Sequence, residues 1–143
     1  MAAIKTFEDI LAWQKARQLC TIVGQLIDSG KFKRNFSLID QIERSSGSIM
    51  DNIAEGFERG GNREFLQFLY VSKGSCGEFR SQSYRSLDRK YLNRIEFDSL
   101  FSLAKDIISL LQKLIDYLEG SAIKGLKYKT RQGATNSTVN SKL

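Results

Sequence analysis

The apolar side chains of this sequence recur at helical spacing in four successive segments. The second segment shows the pattern most fully, with apolar or small residues three or four positions apart at Ile39, Ile42, Ser46, Ile49, Ile53 and Phe57. Such spacing places side chains on one face of an α-helix. The pattern predicts four helices, over about residues 7–29, 36–59, 63–87 and 94–120.

Residues that favour helix ends lie at the boundaries of these segments. Thr6 is expected to cap the first helix together with Asp9, and Gly30 is expected to end it in a left-handed conformation. Asn93 and Glu96 have the spacing of a capping box before the fourth helix. Because the connections are short, sequential helices should be antiparallel neighbours.

The expected architecture is all-α, an antiparallel up-down-up-down four-helix bundle with a disordered C-terminal tail. Residues 5–120 form the bundle in this prediction, and Gly120 ends the fourth helix. Residues 121–143 form a flexible basic tail, because Ser, Thr, Asn, Gly and Lys dominate there and apolar periodicity is lost.

A second, polar stripe follows the second predicted helix beside the apolar one. It consists of Gln41, Ser45, Ser48, Asn52, Glu55 and Arg59. At helical geometry this stripe lies roughly 110° around the helix from the apolar stripe. A regular row of hydrogen-bonding side chains indicates another contact surface. We therefore expect Asn52 and Glu55 to be largely buried, to have hydrogen-bond partners, and to specify helix register or subunit packing.

The third predicted helix also carries two stripes. Its inward stripe consists of Phe65, Phe68, Ser72, Ser75, Phe79, Gln82 and Ser86. Leu66, Tyr70 and Tyr84 lie about 140° away from that stripe. Their regular spacing predicts a subunit interface, because tyrosine is enriched where proteins meet. The alternative is that they are ordinary surface aromatics.

Charge is distributed unevenly along the chain. All 16 acidic residues but only 17 of the 22 basic residues lie at or before Glu119, so the bundle is nearly neutral and the tail is basic. Local placement of charge is therefore more informative than the net charge of +6. In the predicted topology two loops meet at one end of the bundle and bring together Lys31, Lys33, Arg34, Arg85, Arg89, Lys90 and Arg94. These residues are the candidate nucleic-acid contacts; the alternative is an ordinary charged loop region with cations at a helix C-terminus.

The sequence offers little support for catalysis. It contains no histidine, so the commonest general base and transition-metal ligand are both absent. Gly74-Ser75-Cys76-Gly77 lacks the spacing and the strand-to-helix turn of a nucleophile elbow. Cys20 and Cys76 are expected to be free thiols in a reducing cytoplasm. No catalytic residue, metal or cofactor is expected.

The central segment resembles the signature of a known family. Residues 41–59, with the element Asn52-Ile53-Ala54-Glu55-Gly56, resemble the bacterial four-helix-bundle proteins first noted in intervening sequences of large-subunit ribosomal RNA genes. Residues 7–16, 65–69 and 74–78 resemble the start and the third helix of that family. The resemblance covers about residues 5–119. Ser46 and Met50 depart from the signature, in which alanine and proline are common at these positions.

That family also includes the accessory variability proteins of diversity-generating retroelements. These proteins form pentameric barrels with a basic surface and bind nucleic acid and a reverse transcriptase. The resemblance implies a four-helix bundle, a homopentamer and nucleic-acid binding for this chain, although its nearly neutral bundle departs from a strongly basic surface.

Two functional hypotheses follow. The first is a non-enzymatic, homo-oligomeric bundle in the cytoplasm that binds RNA or DNA without strong sequence preference. The alternative is a protein–protein adaptor or scaffold that makes no nucleic-acid contact. No membrane contact is expected, because no run of 18 apolar residues exists.

Overall fold

Four helices packed in a closed ring form the fold. The computed structural model describes the backbone of residues 3–131 and the side chains of residues 3–120. A 3₁₀ turn, Phe7–Asp9, precedes helices α1 (Leu11–Asp28), α2 (Phe36–Glu58), α3 (Asn62–Asp88) and α4 (Arg94–Arg131). Each helix packs against the next, and α4 also packs against α1. Residues 3–131 contain no strand. The predicted all-α, up-down-up-down four-helix bundle is confirmed.

The first predicted helix is interrupted at its start. The Asp9 carboxylate accepts hydrogen bonds from the backbone N–H groups of Lys5 and Thr6, at 2.9 and 3.0 Å. Thr6 and Asp9 therefore cap the 3₁₀ turn and not α1. Ile10 is extended and only 3% exposed. Because Ile10 is drawn into the core, the chain changes direction before α1 begins at Leu11. The single helix expected over residues 7–29 was therefore wrong at its N-terminal end.

Two other helix ends follow local rules. Gly30 has φ +78°, and the amides of Gly30 and Lys31 donate to the carbonyls of Ile27 and Leu26, so the expected left-handed stop of α1 is confirmed. The Asn93–Glu96 capping box is also present, with reciprocal bonds of 2.8 and 2.9 Å between side chain and backbone. Each of these signals lies within a few residues, which is why the sequence alone contains it.

The fourth helix passes through Gly120. Its backbone remains helical to Arg131, so the predicted end at Gly120 was wrong. A glycine inside a helix costs only about 1 kcal/mol relative to alanine, and it ends a helix only where a left-handed residue is required. The predicted flexibility of the tail stays a prediction, and residues 132–143 lie outside the described part of the chain.

The core is formed by apolar residues from all four helices. Fully buried side chains include Leu19 of α1, Ile49 of α2, Phe79 of α3 and Ile107 of α4. Buried serines of α3 bond to main-chain carbonyls, and Ser72 donates across the bundle to the carbonyl of Ile49 at 2.7 Å. Buried hydroxyls of this kind let helices approach closely without leaving a donor unsatisfied.

Candidate nucleic-acid interface

The α1–α2 and α3–α4 connections lie side by side at one end of the bundle. The Asn35 side-chain amide donates to the hydroxyl of Tyr91 at 3.3 Å, and the rings of Phe32 and Tyr91 are 6.0 Å apart. Lys31 of the first connection forms an ion pair of 3.1 Å with Glu96 of α4. We call the surface formed by residues 29–36, 85 and 89–95 the basic end. The two loops meet as the predicted topology requires.

The seven candidate cations are all at the basic end, and they differ in their partners. Two are neutralised by carboxylates: Lys31 by Glu96, and Arg94 by Asp98 at 3.3 Å. The other five form no ion pair with any side chain of residues 3–120; they are Lys33, Arg34, Arg85, Arg89 and Lys90. The exposed basic side chains thus outnumber the carboxylates that could neutralise them.

Two of these five cations, both arginines, make hydrogen bonds to uncharged side chains, and these bonds fix their direction. Arg85 donates to the Gln41 side chain at 2.7 Å, across the α2–α3 contact. Arg89 donates to the hydroxyl of Tyr91 at 3.1 Å, and its guanidinium lies 5.4 Å from the Tyr91 ring centre. Neither bond removes positive charge, so both guanidinium groups still attract anions.

Three of the seven cations have a left-handed backbone. Lys33, Arg34 and Lys90 have φ values of 54°, 64° and 62°. Lys90 occupies the position after α3 that Gly30 occupies after α1: the amides of Lys90 and Tyr91 donate to the carbonyls of Leu87 and Ser86, each at 2.9 Å. This conformation costs a side-chain-bearing residue roughly 1–2 kcal/mol. Compared with glycine at this position, Lys90 lowers the stability of the bundle but adds a positive charge to the basic end.

Glu96 offsets part of the positive charge at the basic end. The hydrogen bond from the Asn93 backbone N–H lowers the pKa of Glu96, and the Lys31 ammonium lowers it further. Glu96 is therefore ionised at neutral pH and neutralises Lys31. The net attraction of the basic end for anions comes from the remaining cations.

The polar stripe of α2 forms a contact with α3 inside the chain. Ser45 is buried and donates to the Gln82 side-chain oxygen at 2.6 Å, while Gln82 donates to Glu78 at 3.1 Å. The hydroxyl oxygens of Ser48 and Ser75 are 2.9 Å apart. The stripe thus fixes how α2 lies along α3.

Asn52 and Glu55 differ in their environments. Asn52 is half-buried and donates to the carbonyl and the hydroxyl of Ser48, at 2.7 and 2.8 Å. Glu55 is exposed and pairs with Arg59, at 3.0 Å, one turn along the same helix. The expected burial of Glu55 within the chain was wrong, because the stripe turns away from α3 towards the C-terminal end of α2.

The three residues expected at a subunit interface do not share one environment. Leu66 is 0% exposed and belongs to the core of the chain, so its assignment to an outer surface was wrong. Tyr84 is exposed but packs at 5.0 Å against the ring of Phe97. Tyr70 is exposed and donates to the Glu119 carboxylate, and this bond raises the pKa of Tyr70 to about 12.

Sequence reasoning missed three residues of the basic end: Asn35, Phe36 and Tyr91. Asn35 caps α2, with its side-chain oxygen accepting from the Leu38 amide at 3.1 Å. An asparagine directly before the helical pattern was the available signal. No local pattern marks Phe36 as exposed or Tyr91 as the link between loops, since both properties depend on the neighbouring helix.

A shallow depression along the outward face of α2 is a poor site for an anion. Four carboxylates line it, and the full lining is Asp40, Glu43, Arg44, Gly47, Ser48, Asp51, Asn52 and Glu55. Within the part of the chain that the structure describes, no three His, Cys, Asp or Glu side chains are grouped to hold a metal ion. Phosphate groups would be repelled from this face and attracted to the basic end.

Comparison with known proteins identifies the family. A family model described as 23S rRNA-intervening sequence protein matches residues 8–113. The chain belongs to this family. The match covers helices α1 to α3 and α4 as far as residue 113, and therefore includes the whole basic end.

A solved structure shares the fold of this family member. It is the 1.70 Å crystal structure of a protein with unknown function from the S23 ribosomal protein family of Bacteroides thetaiotaomicron VPI-5482. That structure has a TM-score of 0.68 and 22% sequence identity, over 73% of this chain and 98% of the other. At this identity the likeness concerns the fold alone. Among curated proteins, none matches the chain.

Within residues 3–131, no helix is both long enough and apolar enough to cross a membrane.

Proposed function

We propose that this member of the 23S rRNA-intervening sequence protein family is a non-enzymatic, homo-oligomeric bundle that binds nucleic acid through its basic end. The observation that carries the proposal is the excess of cations there: five exposed basic side chains lack an ion pair among residues 3–120. Lysine and arginine side chains of this kind bind phosphate groups and release the counterions condensed on the nucleic acid.

The contacts available at the basic end favour binding without strong sequence preference. Phosphate contacts position a protein on nucleic acid but read no sequence. The two connections are short loops, residues 29–35 between α1 and α2 and residues 89–93 between α3 and α4. Affinity should therefore come mainly from charge and should fall steeply as salt concentration rises.

A salt titration with matched charge variants tests the proposal. Fluorescence anisotropy is measured with a labelled 20-nucleotide RNA and with a duplex of the same sequence. The triple variant Arg34→Gln/Arg89→Gln/Lys90→Gln should bind at least tenfold more weakly and with a shallower salt dependence, because each lost phosphate contact lowers the slope by about 0.7–0.9.

The control removes the same charge from elsewhere on the bundle. Arg59→Gln/Arg63→Gln/Lys113→Gln alters exposed residues outside the basic end: Arg59 directly follows α2, Arg63 is in the first turn of α3, and Lys113 is in α4. This variant should retain most of the affinity. Equal losses in both variants would mean that total charge, and not the basic end, attracts the nucleic acid.

The basic residues after residue 120 are the rival source of affinity. In the full-length chain they are replaced by glutamine at Lys124, Lys127, Lys129, Arg131 and Lys142. Binding that survives these changes supports the basic end. Binding that disappears with them, while the triple variant binds normally, assigns the affinity to this segment.

A protein–protein adaptor is the second candidate function. Exposed apolar side chains favour it, notably Val71 on α3 and Tyr117 on α4. The same side chains support self-association, and the family resemblance suggests a pentamer. If the intact protein binds no nucleic acid even at low salt, the adaptor becomes the preferred function. We infer that the chain acts in the bacterial cytoplasm, which its two free cysteines support.

A further inference from the structure

We propose that the basic end selects single-stranded nucleic acid by stacking an unpaired base on the exposed ring of Phe36. This inference rests on the proposed function and adds the class of nucleic acid and the contact that selects it. In a single strand the faces of the bases are accessible, and base–aromatic stacking tolerates any sequence. In a duplex the same faces are covered by neighbouring bases, and proteins contact mostly backbone and shape.

Phe36 has the exposure that such a contact requires. Its side chain is 66% exposed, whereas each of the other eight phenylalanines is buried or half-buried. Phe36 is the first residue of α2, directly after the loop of the basic end. Its ring therefore contributes little to the core, although burial is the usual gain from an aromatic side chain. An apolar ring in this position is available to an external partner.

The ring is held on a fixed piece of backbone. The Phe36 amide donates to the Arg34 carbonyl at 2.8 Å, and the Leu38 amide donates to the Asn35 side chain at 3.1 Å. The Asn35 side chain also donates to Tyr91 in the other loop at 3.3 Å. Because the loop is already ordered, binding a base there costs little additional conformational entropy.

The positive charge around Phe36 favours a polyanion as the partner of this surface. The Arg34 guanidinium lies 5.9 Å from the Phe36 ring centre, and Lys33 is adjacent in the chain. In the second loop, the Arg89 guanidinium lies 5.4 Å from the Tyr91 ring. Each loop thus pairs an arginine with an aromatic ring, and the Asn35–Tyr91 hydrogen bond links the two pairs. A strand with alternating phosphates and bases can contact both groups in each pair.

A comparison of three polyanions separates stacking from simple charge attraction. Fluorescence anisotropy uses a labelled 20-nucleotide single strand of mixed sequence, the matching duplex, and inorganic polyphosphate as an unlabelled competitor. The wild-type protein should bind the single strand about tenfold more tightly than the duplex, as expected for one stacked base. Polyphosphate, which has charge but no bases, should displace the strand only at a large excess of charge.

Substitutions at Phe36 provide the second arm. Phe36→Ala should lose about tenfold in affinity for the single strand and almost nothing for the duplex, while Phe36→Trp should keep or increase the single-strand preference. Leu11→Ala, which removes an exposed apolar side chain at the start of α1, should change neither affinity. Thermal melts confirm that all three variants remain folded.

The outcomes distinguish this inference from the function on which it rests. If single strand and duplex bind equally and Phe36→Ala changes neither affinity, the basic end binds phosphate alone. Stacking is then wrong while nucleic-acid binding stands. If neither nucleic acid binds at low salt, the proposed function fails and the stacking inference fails with it.

Discussion

Gly56 of α2 lies so close to Phe68 of α3 that a Cβ atom added at Gly56 would be 2.6 Å from the Phe68 Cβ. The Phe65 ring would be 3.1 Å from the same added atom. Phe68 Cβ is attached directly to the backbone of α3, so relief requires the two helices to separate. The glycine in the Asn52-Ile53-Ala54-Glu55-Gly56 element therefore sets the distance between α2 and α3.

Replacement of Gly56 by alanine should destabilise the bundle by about 1–3 kcal/mol, because overpacking outweighs the gain in helix propensity. Gly74→Ala is the matched control in α3, since a Cβ added there would have no atom of a neighbouring helix within 4 Å. That variant should be neutral or up to about 1 kcal/mol more stable. Urea unfolding measures both. Equal stabilities of the two variants would contradict the close approach.

The Ser45–Gln82 hydrogen bond should make a measurable contribution to stability. Ser45→Ala leaves the Gln82 side-chain oxygen, which Ser45 contacts at 2.6 Å, without this donor in a buried position. The expected loss is about 1–3 kcal/mol. Ser81→Ala, on the exposed side of α3, should change stability by no more than about 0.5 kcal/mol. Chemical denaturation distinguishes the two, and a Ser45→Ala variant as stable as Ser81→Ala would show that water replaces the bond.

The fold could be predicted from the sequence because its signals are local. Helical spacing gave the four helices, and Gly30 and the Asn93–Glu96 pair marked two of their ends. The start of α1 was missed because Ile10 leaves the helical path to become buried, a tertiary effect that spacing does not contain. The predicted end of α4 at Gly120 was wrong because a glycine ends a helix only where the backbone requires a positive φ, and sequence alone does not show where that is.

The polar stripe of α2 was visible in the sequence, but its partner was not. Periodicity identifies a face of a helix without identifying the neighbour that covers it. The inward stripe of α3 did contain a signal, since Ser75 and Gln82 are polar residues in an otherwise buried row. Matching the two polar rows would have indicated a contact within the chain.

Leu66 was misplaced because the buried arc of α3 is wider than one heptad stripe. Helix α3 packs against both α2 and α4, so residues on two adjacent faces are buried. Leu66 and Leu69 are fully buried, as is Phe79 of the predicted inward stripe. A helix with two neighbours buries about 100° or more of its surface, and the strict stripe underestimates that width.

For the basic end, topology predicted that the two loops meet, but not the state of each cation. The Lys31–Glu96 pair joins a loop to α4 and depends on their exact separation. The left-handed backbone of Lys90 was also hidden, because non-glycine residues rarely adopt it. Such features follow from the assembled fold and not from any short motif.

Lys90 should affect stability and binding in opposite directions. Lys90→Gly relieves the left-handed strain at φ 62° and should stabilise the bundle by about 0.5–1 kcal/mol after the entropy of the added glycine is counted. The same change removes a cation and should weaken nucleic-acid binding. Lys90→Gln should weaken binding equally without the gain in stability. Thermal melts and anisotropy together check both effects; a Lys90→Gly variant with unchanged affinity would exclude Lys90 from the interface.

Cys76 should be unreactive in the folded protein. Burial raises the pKa of its thiol to about 12, from a usual value of 9.0. Below pH 9 the thiol is protonated in both folded and unfolded chains, and its full contribution to stability is present. As pH rises from about 9 towards about 12, the Cys76 thiol ionises in the unfolded chain before it ionises in the folded one. The free energy of unfolding should therefore fall over this range.

The Cys20→Ala variant isolates this thiol. At pH 8 a disulfide reagent should modify Cys76 only after denaturant is added, because the thiolate is the reactive form. Urea unfolding at pH 8 and pH 10.5 should show a loss of stability at the higher pH that Cys76→Ala reduces. Rapid modification of native Cys20→Ala would mean that α3 opens frequently.

Val71 gives the sharpest test of self-association. Its side chain is 53% exposed on α3, so a charge placed there should disturb contacts between chains without disrupting the core. Tyr84 is less suitable, because its ring packs against Phe97 within the chain. If the exposed apolar side chains of α3 and α4 join subunits, Val71→Glu should shift the protein towards monomers. A buried charge without a partner is strongly unfavourable at an interface.

Light scattering at micromolar concentration measures the result. The wild-type protein should have a mass of about 82 kDa if it is a pentamer of 16.3 kDa chains, and Val71→Glu should have a lower mass at the same concentration. Gln18→Glu, which adds the same charge to an exposed position of α1, should leave the mass unchanged. A wild-type mass near 16.3 kDa would rule out the oligomer. An oligomer that Val71→Glu leaves intact would place the interface on another face of the bundle.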